Sequence, residues 1–453
     1  MIAGAFAVLL ASAPLLPKLA LLRPRYGSFP LLLAVLCLLW IGLMRWALPG
    51  FRRRETRVAL VLGLLLILSW LPRTAARTWG ARWLTPAYYS YVIVPTTAVQ
   101  VGMLMGLLTA PLWVPLGRWT RRRMQKEAAS ASPAPAPAAP APAALSAPAA
   151  SELVPARPAL LSRRRLLTLA PWVLPGGALV GATYGSFIES RRIVVKRVRV
   201  PVPGLPPALH GFRIGQVTDL HIARDLTQLA HLERGLGLLA EERLDILCAT
   251  GDLCDEPKLF ATVLRLIAQV PVRLGHYGCL GNHELFLGLD IVRRAYDRSP
   301  VQLLEDESVR LGGLRLAGIG YAIRGRSPRL SLEDVPAQLD EALAARQPDE
   351  PTATVMMAHH PHAFTQLGGR RIDLMLSGHT HGGQLGFRDG SAIERLYPYA
   401  RGLYGVRRDK GAQPEVVQPP QSAQLFVSSG LGHWLPVRLN CPPEVVVIEL
   451  VPA

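Results

Sequence analysis

The sequence predicts two fold classes in one chain: an all-α region that crosses a membrane several times, then an α/β domain. Three observations predict that division. Long apolar runs broken by arginine clusters occupy the first part, short apolar runs alternating with amphipathic stretches occupy the second, and the charge changes sign between them. Residues 1–200 carry a net +21 and residues 201–453 a net −3, within a total of +18. A nucleic-acid-binding protein carries its positive charge on a globular domain, so the high isoelectric point does not argue for that class. All 11 histidines lie between His210 and His433, so hydrophobic anchoring and candidate metal chemistry occupy different parts of the 453 residues. That length accommodates two or three domains.

The membrane region, 1–126, rests on apolar runs at Ile2–Leu22, Ser28–Met44, Val58–Leu71 and Tyr88–Leu116. A bilayer core takes ~20 apolar residues per helix. The short third run needs Arg57 and Arg73 to reach outward to the interfaces. Pro14, Pro95 and Pro111 predict kinks, because neighbouring helices can satisfy the carbonyls a proline frees. The alternative, buried helices of a soluble domain, would require an unusually large core. After Arg118, Arg121, Arg122, Arg123 and Lys126 comes the tract ASASPAPAPAAPAPAALSAPAA, which cannot build a core and reads as a semi-rigid linker over 127–161. A fifth apolar segment, within 162–192, follows SRRRLL. That stretch resembles a twin-arginine export signal and reads equally as the basic flank of a membrane helix. Basic residues concentrate in the breaks after the second and fourth runs and before the fifth, which places the amino terminus inside and everything after Ile188 outside. The expectation is a multi-pass inner-membrane protein whose last domain, 193–453, faces the periplasm.

In that domain FRIGQVTDLH, LDILCATGD, VRLGHYGCLGNHE, ATVMMAHHP and IDLMLSGHTH each read as a buried strand running into a polar turn. LTQLAHLERGLGLLAEE reads as a helix between the first two. Strand, helix, strand predicts a parallel-rich sheet with helices on its outer faces, whose ligand sites lie beyond the carboxyl ends of its strands. Those ends carry Asp219 and His221, Asp252 and Asp255, Asn282, His283 and Glu284, His359, then His379 and His381. Cys37, Cys248, Cys254, Cys279 and Cys441 show no C-x-x-C spacing and read as buried structural thiols. Cys254, between two candidate site carboxylates, is the one singled out for oxidation.

The ordered set D-x-H, G-D-x-x-D, G-N-H-E, H and G-H-x-H resembles the calcineurin-like metallophosphoesterase family. GHTHGGQ and the tail FVSSGLGHWLPVRLNCPPEVVVIEL resemble its membrane-associated bacterial branch. The resemblance runs from Ile193 to the end. Thr218 stands where the family usually has Ser, and His360 and His362 stand at positions often acidic or amide. The resemblance implies a four-layer α/β/β/α sandwich holding two divalent metal ions. Asp252 is the implied bridge; Asp219, His221 and His381 complete one shell, and Asn282, His359 and His379 the other. His283 is the implied catalytic residue, stabilising and protonating the leaving oxygen, with Asp255 or Glu284 orienting its ring.

Imidazole, carboxylate and amide donors without thiolate suit Mn²⁺, Fe or Zn²⁺. Paired cations answer the chemistry of a phosphoester, which repels nucleophiles: they supply a bridging hydroxide and neutralise the phosphoryl oxygens. The expected function is therefore a membrane-anchored, metal-dependent phosphoesterase. Its expected partners are membrane lipids and a phosphorylated small-molecule or lipid substrate, such as a UDP-diacylglucosamine-type precursor, with no nucleic acid. The alternative is a membrane receptor or transporter that binds metal and phosphate without turnover. His210, His231 and His276 match no motif and read as surface or packing residues. His360 and His362 read either as facing the substrate or as solvent-facing loop residues, and His433, in the glycine-rich tail, is assigned no role. Gly378, Gly382 and Gly383 are expected to let backbone pass close to the metals, or to form an ordinary turn.

Overall fold

A computed structural model describes residues 29–48, 56–57, 59–61, 63–64, 92, 94–130, 163–223, 226–322, 330–344, 353–387, 390–391, 393–394, 397–405, 423–433 and 436–453. The first apolar run, most of the third and nearly all of the Ala/Pro tract lie outside the described residues. The chain divides into two units, one of Met1–Gly80 and Val99–Val180, the other of Ala81–Ala98 and Gly181–Ala453.

Helix α1 spans Phe29–Ala47, α2 Val94–Leu108, α3 Ala110–Ser130 and α4 Arg163–Phe187; α1 and α3 lie in the first unit, with α2 from Val99 onward and α4 up to Val180. The run read as one span at Tyr88–Leu116 is a bent pair: α2 and α3 meet at 73°. Pro111 supplies no N–H and disfavours helical geometry at the residue before it. Thr109 Oγ1 turns back onto the carbonyls of Met105 and Gly106 at 3.1 and 3.0 Å. Trp40, Trp113 and Met103 form a small apolar core, with the two indoles edge-to-face at 6.0 Å. Trp113 Nε1 donates to the Gly106 carbonyl at 2.8 Å. Among the described residues no single helix is long and apolar enough to cross a membrane, and the bent pair passes that test jointly.

The second unit is α/β with two mixed six-stranded sheets. The first uses β1 (Val194–Val202), β2 (Arg213–Val217), β3 (Leu244–Thr250), β4 (Val272–Cys279), β5 (Val301–Leu303) and β14 (Glu444–Pro452), in the order β1-β14-β2-β3-β4-β5. The second uses β6 (Glu307–Leu311), β7 (Leu314–Gly318), β8 (Ala353–Met357), β9 (Leu374–Ser377), β12 (Gly402–Tyr404) and β13 (Gln424–Val427), in the order β12-β13-β9-β8-β7-β6. A small hairpin of β10 (Gly386–Phe387) and β11 (Gly390–Ser391) stands apart. The sheets are parallel-rich, as expected, apart from β14 against β2 and the edge pairs β6–β7 and β12–β13. β14 sits inside the first sheet because its apolar run, VVVIEL, can cover both faces.

Side-chain alternation explains the layering. Along β3, Ile246 and Cys248 face the core between the sheets while Leu247 and Ala249 face the outer one. Along β8, Val355 and Met357 face inward and Met356 outward. The outer face of the first sheet is covered by α5 (Leu226–Ala240), α6 (Pro257–Ile267), the short α7 (Asn282–Leu287) and α8 (Leu289–Asp297); α9 (Val335–Leu343) covers the second. The layers are thus helix, sheet, sheet, helix. Between the sheets the buried Gln216 amide donates to Thr250 Oγ1 at 2.9 Å and to the Ser377 carbonyl at 3.1 Å. This ties the carboxyl ends of β2, β3 and β9 at one level.

Candidate metal centre

The polar turns leaving β2, β3, β4, β8 and β9 converge at that level. Their backbone is unusual. Among the described residues eight non-glycine positions have positive φ, and five are Asp219 (53°), His221 (46°), Asp252 (54°), His379 (69°) and His381 (50°). Each such residue costs on the order of 1–3 kcal/mol and persists only where its surroundings over-determine it. Those surroundings are visible. Thr218 Oγ1 lies 2.8 Å from Asp219 Oδ2, and the His379 N–H donates to both oxygens of that carboxylate at 3.0 Å. The His283 N–H donates to Asp252 Oδ1 at 2.8 Å. A Cβ at Gly378 would collide with Asp219 Oδ2 and Thr218 Oγ1, so a side chain there would displace the carboxylate.

Among the described residues three groups of donors result, and two of them, Asp219 with His221 and His381, and Asp252 with His359 and His379, are built wholly of predicted ligands; within each, the donor atoms lie within 4.8 Å of one another. In the first, His221 Nε2 lies 3.0 Å from His381 Nε2, and His381 Nε2 lies 3.4 Å from Asp219 Oδ1. In the second, His359 Nε2 lies 3.1 Å from Asp252 Oδ2, and His379 Nδ1 lies 2.9 Å from Asn282 Oδ1. Asp252 joins the two, with its Oδ2 also 3.8 Å from His221 Nε2.

Electrostatics sorts the imidazoles. Burial disfavours charge on His221 and His359, yet the surrounding carboxylates outweigh it and raise them to about 9 and about 10. Burial and cationic neighbours lower His379 to about 3 and hold His381 well below its usual range. Burial opposes ionisation of Asp252, but His359, His221 and His283 overcome it and hold this carboxyl well below the ordinary range. Asp219, also buried, is raised.

These residues fit a pair of divalent cations. His359 Nδ1 contacts the Thr250 carbonyl at 2.7 Å, leaving a buried Nε2 with no hydrogen-bond partner beside two carboxylates. His221 Nε2 and His381 Nε2, 3.0 Å apart beside Asp219, are donors that would share one cation. All seven residues predicted as ligands are therefore brought together, with His283 at the rim.

Asp255 and Glu284 take different places. Asp255 Oδ1 lies 2.7 Å from His283 Nδ1 and 3.4 Å from His221 Nδ1, so one carboxylate serves two rings. Burial opposes the Asp255 charge, but both imidazoles hold its carboxyl below the usual range. Glu284 does not take the orienting place beside His283. Standing third in α7, it points back to the helix start and accepts from the N–H groups of Gly281, Asp252 and Leu253 at 2.8, 2.9 and 2.8 Å. It braces the turn that carries Asp252.

The remaining histidines sort by contact. His210 and His276 bond backbone carbonyls of Leu205 and Val270 away from the site. His231 bonds the Leu431 carbonyl at 3.2 Å. His433 is half-buried. The His360 ring lies 4.2 Å from that of His379, and its Nε2 is 3.0 Å from the Tyr397 hydroxyl; the His362 ring stands 4.6 Å from Tyr397. All five cysteines are buried free thiols. Burial pushes the Cys254 thiol up to about 12, and its Sγ hydrogen-bonds the Ile222 and Glu256 carbonyls. It is therefore inert rather than oxidation-prone.

Sequence reasoning missed Tyr397 and Arg438. The fully buried Arg438 guanidinium donates to the carbonyls of Ser429 (2.8 Å), Gly430 (3.2 Å), Gly432 and Cys441 (3.1 Å). The loop it gathers donates in turn, Leu431 N–H to the Thr218 carbonyl and Gly432 N–H to that of Asp219. Arg438 so pins the backbone behind Asp219. A lone arginine in an apolar tail was the available signal.

Residues 212–383 match the calcineurin-like phosphoesterase family. An uncharacterized metallophosphoesterase of Helicobacter pylori is 28% identical over 280 residues, 61% of this chain and 69% of that protein. A transmembrane protein with metallophosphoesterase domain from Bos taurus is 28% identical over 311 residues, 64% of each chain. The UDP-2,3-diacylglucosamine pyrophosphatase LpxG of Chlamydia trachomatis is 23% identical over 319 residues, 59% of this chain and 92% of that one.

Proposed function

This chain carries a calcineurin-like metallophosphoesterase domain, the mark of a metal-dependent phosphoester hydrolase, and from that premise we propose a membrane-anchored enzyme with a dinuclear centre. One observation carries the reading: two donor groups, Asp219–His221–His381 and Asp252–His359–His379, joined through Asp252. Asp252 would be the shared ligand; Asp219, His221 and His381 would hold one ion, and Asn282, His359 and His379 the other. Bound cations of this kind supply Lewis acidity and an activated water for in-line attack. His283 does the proton work. Asp255 holds its Nδ1, which leaves Nε2 to meet the leaving oxygen. His359 is fixed by the Thr250 carbonyl, so its Nε2 is the donor atom.

Membrane anchoring is supported by the apolar helices, by the name of the Bos taurus relative, and by indole–guanidinium pairs of the kind found at bilayer interfaces. Arg118 lies 4.0 Å over the Trp46 ring and Arg123 5.5 Å over Trp119. The substrate proposed is a lipid-linked or envelope phosphate ester or pyrophosphate, of which a UDP-diacylglucosamine-type molecule is one example. Such a nucleotide lipid is cytoplasmic, whereas the charge pattern supports a domain outside. Topology reporters after Arg123 and after Ile188 decide between the two.

The test of the activity uses the full-length chain loaded with Mn²⁺, Fe or Zn²⁺. Two ions per chain and chelator-sensitive hydrolysis of an aryl phosphodiester are expected. A chain that binds the ions yet cleaves no phosphomonoester, phosphodiester or pyrophosphate is a receptor instead.

A further inference from the structure

Helix α7 is short, and its two faces do unlike things. Glu284 is buried under the Asp252 turn, while Leu285 and Leu287 pack against the outer core of the first sheet. Asn282, His283 and Phe286 remain on the other side. Their spacing, i, i+1 and i+4, makes Phe286 the helical neighbour of Asn282 at four residues and of His283 at three. Its ring stands edge-on to the His283 imidazole with centroids 5.3 Å apart, and it is 59% exposed. His283 and Asp255 beside it have side chains 22% and 34% exposed, so the rim that bears the acid also bears this ring. A single exposed apolar residue is ordinary on a protein surface. This one is held by helix geometry against the group that meets the leaving oxygen, next to a centre built of carboxylates and imidazoles.

We propose that Phe286 is the apolar wall of the leaving-group subsite, and that the enzyme takes esters whose leaving group presents an alkyl chain or aromatic ring next to the ester oxygen. The inference rests on the phosphoesterase reading above and names the substrate class of that site. His283 at the leaving oxygen places the first atoms of the departing group over the Phe286 ring. Covering a large part of that ring is worth roughly a tenfold preference.

The experiment uses the full-length, metal-loaded chain and three matched esters with one retained phosphoryl group and decyl, 2-naphthyl or glyceryl leaving groups. Each is followed by release of its alcohol. Phe286→Ala is expected to lower the kcat/KM ratio of decyl over glyceryl, and of 2-naphthyl over glyceryl, about tenfold, mainly through KM. Phe286→Leu distinguishes the sources: recovery of the decyl ratio alone points to an alkyl chain, and failure to recover either points to ring stacking. Ratios that stay unchanged in Phe286→Ala, with two metals still bound, overturn the inference while the phosphoesterase reading stands. A wild-type chain that holds both metals and cleaves none of the three esters, nor an aryl phosphodiester or pyrophosphate, overturns both.

Discussion

The two sheets contribute unlike halves of the centre. From the first come the carboxylates Asp219, Asp252 and Asp255, with His221, Asn282 and the acid His283; from the second come imidazoles only, His359, His379 and His381. Each half is incomplete alone. The first concentrates negative charge in a buried place, and burial without partners penalises it. The second brings the neighbours that repair this: the His379 N–H on Asp219 and the His359 ring on Asp252. Closing the sandwich and assembling the centre are therefore one event, and the difference between the sheets gives each substitution its own signature.

The largest effect belongs to the residue both sheets share. Asp252→Ala removes the carboxylate that joins the two donor groups, so both metals and the activity should go together, with a rate loss on the order of a thousandfold or more. Metal content by mass spectrometry beside hydrolysis of an aryl phosphodiester checks this. Retained metals would show that the halves hold their ions independently.

Next comes a change confined to the first sheet. Asp255→Asn weakens the hold on His283 at 2.7 Å and on His221 at 3.4 Å. A fall of roughly 10- to 100-fold in kcat is expected, with metal affinity reduced by a similar factor, since outer carboxylates tune ligands by such amounts. The second-sheet imidazoles lack this shared carboxylate. Unchanged affinity with lowered kcat would confine Asp255 to His283. Smaller still is Glu284→Gln. An amide cannot accept from all three N–H groups that the carboxylate now serves, so stability should fall by about 1–3 kcal/mol. The midpoint of thermal unfolding measures that loss.

How much of this was legible differs by residue. The strand-to-turn transitions revealed the ligand-bearing ends, because a buried strand is an apolar run and its exit a polar one. Motif order then assigned Asp252 and His359 to one centre, but nothing in the chain gives the 3.1 Å between residues 107 positions apart. Position along a short helix separates Glu284 from Asp255, and sequence offered both for one role. Arg438 stayed hidden because its partners are carbonyls, which every residue has. The antiparallel place of β14 was equally hidden, since an apolar strand looks the same in either direction.

The finest distinction lies in protons. Without metal, His221 and His359 sit at about 9 and about 10, one ring from each sheet, while His379 and His381 are already neutral. A cation can bind only deprotonated imidazole, so loading at pH 7.5 must expel the first two protons and none from the other pair. Calorimetry in buffers of different ionisation enthalpy should therefore count about two protons from these rings per chain, in addition to any lost by metal-activated water. The sign follows: apparent affinity falls as pH drops below about 10, and more steeply below about 9, because protons compete for His359 and then also for His221. In His359→Asn the count should drop by about one while the first-sheet proton remains. A count near zero in the parent chain would mean that the carboxylates do not hold these two rings charged, and that the sheets meet with their imidazoles already neutral.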